Sequence, residues 1–150
     1  MLDQDVTKYL DESILCWLAT SSNDNQPNVS PKEIFFVLND HQLVIANIAS
    51  PGSEKNIKIN ENVAVSFVNI LVQKGYQLKG QAKLINKGDY EFSDLNFKAE
   101  KLTLGKFPIK NFFLINVSEK KLIMAPSYLF YQDINEELMF SAAKKQYNLD

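Results

Sequence analysis

One segment limits what this chain can fold into: N-I-A-S-P-G-S-E-K-N-I-K-I-N-E-N-V-A-V-S-F-V, residues 47–68. It joins two strand-like runs through a single short helix, in a chain whose other runs are mostly linked by short turns. Strands joined by short turns pair antiparallel, so the expectation is a mainly β fold: a small antiparallel barrel of six or seven strands with helices packed outside it. The helix start is rich in small polar residues. Ser50 suits the N-cap, Pro51 the first helical position, Gly52 leaves the backbone uncovered, Ser53 adds a hydroxyl and Lys55 a cation. Backbone N–H groups at a helix start favour an anion such as phosphate. An ordinary capped helix between strands explains the same local pattern.

The 150 residues are read as one domain, 1–150, with 45% apolar residues and net charge −2. That balance gives no electrostatic footprint for nucleic acid. All sixteen basic residues are lysines, so a planar bidentate clamp on phosphate or carboxylate cannot be built, and lysines, hydroxyls and backbone amides must hold any anion. One cysteine, Cys16, and one histidine, His41, exclude a disulfide framework and a Cys/His zinc site. His41 lies in a turn-like N-D-H-Q and Cys16 in an apolar run, which argues against a catalytic pair. No apolar run approaches the roughly twenty residues of a membrane span, and no signal peptide is seen. The expectation is a cytoplasmic protein with no membrane partner.

Along the chain, residues 3–12 have helical spacing and 14–20 read as a buried strand. Residues 28–38 read as one long strand broken near Pro31, and 43–46 as a third. After the helix come strands at 63–72 and 76–85, with Lys74-Gly75 as a bend or bulge between them. Residues 88–105 read as a helix. Strands at 112–117 and 121–124 flank a polar S-E-K turn, 128–131 could extend the sheet, and 136–147 form a terminal helix.

No G-x-G-x-x-G and no phosphate loop with a G-K-S/T ending occurs, and no carboxylate pair stands out for acid–base work. Besides the opening helix, two segments are odd for pure scaffold. In V-S-P-K-E, Ser30, Pro31, Lys32 and Glu33 put polar groups and a proline where a strand expects apolar ones. A bulge freeing backbone towards a ligand and a plain edge strand explain this equally well. In Q-K-G-Y-Q-L-K-G, Gln73 and Lys74 offer donors while Gly75 and Gly80 allow close backbone approach; a solvated strand face explains it almost as well.

Taken in order, these segments resemble the pyridoxamine 5'-phosphate oxidase-related, FMN-binding split-barrel family, in the branch of predicted flavin-nucleotide-binding proteins. The resemblance is carried by W-L-A-T at residues 17–20, Q-P-N-V-S-P-K at 26–32, L-V-I-A-N-I-A-S-P-G-S-E-K-N-I at 43–57, V-Q-K-G-Y-Q-L-K-G-Q-A at 72–82 and A-P-S-Y at 125–128. It implies a six-stranded split barrel that forms a homodimer with FMN in the groove between subunits. It places Ser30, Pro31, Lys32 and Glu33 along the isoalloxazine and ribityl chain, and Asn47, Ile48 and Ala49 against the flavin. Ser53, Lys55 and Asn56 would hold the phosphate, and Gln73, Lys74 and Gly75 would close the ring's other side. The chain departs from pyridoxamine phosphate oxidase proper, which uses arginines for FMN and ends in a substrate-gripping segment with arginine and histidine. This chain has no arginine and ends in K-K-Q-Y-N-L-D. The resemblance therefore implies a flavin-dependent oxidoreductase acting on an unknown small molecule or electron partner, without vitamin B6 oxidase activity and without a catalytic side chain. The other reading is a non-catalytic module of the same fold that carries or senses flavin, haem or a deazaflavin.

Overall fold

The computed structural model describes residues 1–150. The elements, in chain order, are α1 (Gln4–Asp11), β1 (Cys16–Ser21), β2 (Pro27–Lys32), β3 (Phe35–Asn39), β4 (Gln42–Asn47), α2 (Pro51–Ile59), β5 (Asn62–Asn69), β6 (Lys74–Ile85), α3 (Phe92–Thr103), β7 (Asn111–Met124), α4 (Ser127–Phe130) and α5 (Glu136–Gln146). The seven strands form one sheet in the order β2-β1-β5-β6-β7-β4-β3, every pair antiparallel. Its two edges, β2 and β3, are consecutive in sequence. Two residues carry the chain from one edge to the other, which is the geometry of a split barrel.

The strand pattern predicts six or seven strands and the resemblance six; 27–39 forms two strands that pair with different neighbours, so the structure has seven. The break falls at Glu33–Ile34 and not at Pro31, which stays in β2 opposite Trp17. β2 is an edge strand, where a missing N–H is tolerated.

Alternation along the strands turns Cys16, Leu18, Leu43, Ile45, Val63, Val65, Phe67, Leu78, Phe113 and Ile115 into the barrel. The apolar face of α1 (Val6, Tyr9, Leu10) closes onto the same core. On the other side of the sheet, Val44, Ala46, Phe112 and Leu114 meet Leu95 and Ala99 of α3 in a smaller apolar layer.

Three expectations fail. The S-E-K segment makes no turn: β7 runs unbroken for 14 residues, and its pairing with β6 steps from Lys79↔Glu119 to Gly80↔Val117. Ser118 is thus the extra residue of a bulge. A Cβ on Gly80 would lie 2.1 Å from the Asn116 carbonyl oxygen, so glycine is needed there. Second, the bulge falls there and not at Lys74-Gly75, which lies inside β6. The reversal before it is made at Gln73, with φ 53°. Third, residues 128–131 do not extend the sheet, because Ser127–Phe130 coil into α4. No helix is long and apolar enough to cross a membrane.

Candidate functional site: a polar cradle between the barrel edge and the second helix

β2 has a partner on one side only, and α2 packs beside it against β1. Pairing places Asn28, Ser30 and Lys32 of β2 opposite Thr20, Leu18 and Cys16, on the inward face. With no further strand to cover them, these polar side chains meet α2. Ser30 Oγ lies 3.2 Å from Ser53 Oγ, Asn28 Nδ2 donates to Ser53 Oγ at 3.5 Å, and Asn56 Nδ2 donates to Thr20 Oγ1 at 3.0 Å. Lys32 Nζ donates to Ser30 Oγ at 2.7 Å and also to Ser50 Oγ.

The last bond changes the reading of the helix start. Ser50 stands at the N-cap, but its hydroxyl caps no backbone N–H of α2. Its oxygen accepts from Lys32 instead, while its own N–H donates to Asn47 Oδ1 at 3.0 Å. Without that cap, the N–H groups of the first turn are open to another acceptor.

Lys32 is 6% exposed, and only hydroxyl oxygens accept from its ammonium; no carboxylate pairs with it. Burial pushes its pKa below the ordinary lysine value. Cys16 beside it is pushed up to about 12 by burial and stays a neutral thiol. A buried ammonium and the positive end of a helix thus converge without a counter-ion from the protein, an arrangement that costs free energy until an anion joins it.

Behind the cradle lies a second polar cluster, fully satisfied from within. Asn47 is buried and donates to Glu54 Oε2 at 3.0 Å and to Asn111 Oδ1 at 2.8 Å. Glu54 Oε2 also accepts from Lys110 Nζ at 2.7 Å, and Oε1 from Lys58 Nζ at 2.8 Å. Hydrogen bonds from Lys110 first and Lys58 second lower the Glu54 pKa to about 2.

Of the residues singled out from sequence, Ser30, Lys32, Ser53 and Asn56 meet in the cradle. Asn47 sits directly behind it, with its side chain occupied by protein partners. Lys55 stands exposed on α2, outside every ion pair. Pro31, Glu33 and Ala49 are exposed, and Ile48 is half-buried against the α3-side core layer. Gln73, Lys74 and Gly75 make no hydrogen bond or ion pair to the cradle. The Gln73 carbonyl accepts from Ala125 N–H at 3.0 Å, Lys74 Nζ pairs with Glu136 at 3.0 Å, and a Cβ on Gly75 would lie 1.9 Å from the Phe67 carbonyl oxygen. His41 is exposed in the β3–β4 turn. A cavity of about 620 Å3 between α1, the start of β3 and the loop after α3 includes Glu33 alone among these residues.

Sequence reasoning missed Thr20, Asn28, Glu54, Lys110 and Asn111. Asn28 was within reach, because period-two alternation from Ser30 and Lys32 puts it on their face. Lys110 and Asn111 come from a distant strand start and carry no local signal.

Fold and cradle together define a split-barrel protein whose edge strand and second helix enclose a buried lysine with no carboxylate partner. The chain belongs to the pyridoxamine 5'-phosphate oxidase family, whose family model matches residues 2–107. Among solved structures, HupZ from Group A Streptococcus is 22% identical with a TM-score of 0.68, covering 80% of this chain and 92% of that one. An FMN-binding protein from Syntrophomonas wolfei subsp. wolfei is 13% identical with a TM-score of 0.68, over 83% and 90% of the two chains. HutZ, the haem storage protein from Vibrio cholerae, is 15% identical with a TM-score of 0.63, over 82% and 94%. No curated protein matches the chain.

Proposed function

We propose that this chain binds FMN with its phosphate at the start of α2, and serves as a flavin-dependent oxidoreductase other than a pyridoxamine phosphate oxidase. The observation that carries the reading is Lys32, a buried ammonium without a carboxylate beside an uncapped helix start. Ser30, Lys32 and Ser53 would hold the phosphate from within, with Asn56 keeping α2 against β1 and Lys55 adding a cation from the solvent side. Pro31, Glu33, Ile48 and Ala49 would lie along the ribityl chain and ring, and Asn47 would position the turn into α2. When bound, FMN supplies the electron chemistry, and the protein supplies orientation and electrostatics. The absence of arginine removes the usual clamp for a phosphorylated substrate, which argues against vitamin B6 oxidation. Since Gln73, Lys74 and Gly75 lie apart from the cradle, they would reach a flavin only from the second subunit of a homodimer.

A visible spectrum of the purified protein, followed by titration of the apoprotein with FMN and riboflavin, tests the reading. Flavin bands and tighter binding of FMN than riboflavin are expected. No binding at micromolar FMN overturns it, and a Soret band instead would favour the haem-carrying alternative. Lys55→Ala is expected to weaken FMN about fivefold by loss of one exposed charge. Lys58→Ala should do less, since Lys58 is engaged by Glu54; equal effects would remove Lys55 from the phosphate site.

A further inference from the structure

Glu54 stands in the first turn of α2, the turn whose N–H groups the proposed phosphate would meet. A carboxylate there suits the helix but repels a second anion. The protein resolves this conflict by geometry. The Glu54 side chain is buried, and Asn47 Nδ2 of β4 and Lys110 Nζ from the loop before β7 both donate to Oε2, at 3.0 and 2.7 Å. Lys110 is fixed at its other end too, its N–H donating to the Asn47 carbonyl at 2.9 Å, although its side chain is 60% exposed. Lys58 takes only the other oxygen, Oε1.

We infer that Lys110 is a specificity-determining residue that masks the Glu54 charge from an anion at the start of α2, and so sets the preference for a phosphorylated over an unphosphorylated flavin. The role rests on the FMN reading above and acts through Glu54 rather than by contact with the ligand. Removing Lys110, the stronger of the two cationic contacts on Glu54, leaves the carboxylate to Lys58 and Asn47 near the phosphate, while the uncharged parts of the flavin are unaffected. Lys110→Ala gives up part of the stability of the Glu54 pairing, but Asn47 and Lys58 still donate to the carboxylate, so the variant should fold with a lowered Tm, which is measured beside the affinities.

The experiment measures the affinities of the full-length apoprotein for FMN and for riboflavin at low ionic strength. Lys110→Ala is expected to weaken FMN about fivefold and to leave riboflavin within about twofold. Lys110→Glu should lose more FMN affinity, and the deficit of either variant should shrink as salt is added. In the double variant Lys110→Ala/Glu54→Gln the unmasked charge is gone, and the FMN preference should return to near the wild-type ratio. Equal loss of both flavins in Lys110→Ala, an unchanged FMN affinity, or a deficit indifferent to salt would each overturn the masking role. A wild type with no preference for FMN would overturn the functional reading itself, whereas a wild-type preference that survives Lys110→Ala overturns the masking role alone.

Discussion

Lys32 and Lys74 were both expected beside a ligand, and the structure gives them opposite surroundings. Lys74 Nζ is 3.0 Å from Glu136 Oε1 and 4.3 Å from the centre of the Tyr128 ring. The same carboxylate accepts from Tyr9 Oη at 2.6 Å and pairs with Lys8 at 3.4 Å. That cation is neutralised within its own chain, where it ties the start of α5 to α1 and β6. Lys32 is more deeply buried and has two hydroxyls for company. The two lysines thus differ in their electrostatics: Lys74 has a carboxylate partner that offsets its charge, and Lys32 is buried without one, which is the contrast the FMN proposal rests on.

The sharpest way to break this contrast is at Gly75, beside Lys74. Gly75→Ala would set a methyl group 1.9 Å from the Phe67 carbonyl oxygen, a backbone atom of the neighbouring strand that cannot turn aside. A loss of about 3 kcal/mol or more in urea unfolding is expected, with β5 and β6 forced apart. A stable variant would remove close strand packing as the reason for glycine at this position. Lys32→Met comes next. It should weaken FMN about thirtyfold or more, as loss of a buried charge-assisted contact does. It should also leave the apoprotein as stable as the wild type or more stable by about 1 kcal/mol, because an unpaired buried charge is removed. A clear fall in Tm of the apoprotein would show that Lys32 holds the scaffold together instead.

Much of this was legible in the sequence, and the failures share a cause. Tyr76, Leu78, Ala82 and their partners betray their strand by alternation, because one side of each strand is buried. The start of α2 was legible from Ser50 and Pro51, although the bond that occupies Ser50 comes from Lys32, eighteen residues earlier. Ser118, Glu119 and Lys120 look like a turn because they are polar, yet they lie on an exposed stretch of strand whose pairing with β6 only the tertiary structure reveals. The same holds for Glu54. Its partners Asn47, Lys58 and Lys110 come from β4, from α2 itself and from the loop before β7, and nothing local distinguishes it from a solvated helix glutamate.

The two carboxylates behind these lysines give a finer test through pH. Glu54 and Glu136 are each held near pKa 2, Glu54 chiefly by Lys110 and Glu136 chiefly by the Tyr9 hydroxyl and then Lys74. An unfolded glutamate titrates near 4.3, so on acidification the unfolded chain takes up these protons first. The stability each group contributes is therefore complete above about pH 5 and is lost as pH falls towards 2. Glu54, with a side chain 7% exposed, is expected to contribute on the order of 2 kcal/mol. Glu136 is 37% exposed, so solvent screening reduces its share to about half of that or less. Urea unfolding at a series of pH values should thus show a steep acid limb in the wild type, flattened strongly by Glu54→Gln and weakly by Glu136→Gln. The reverse ranking would place the dominant electrostatic clasp at α5, and α2 would then lack the rigid seat that a preorganised cradle requires.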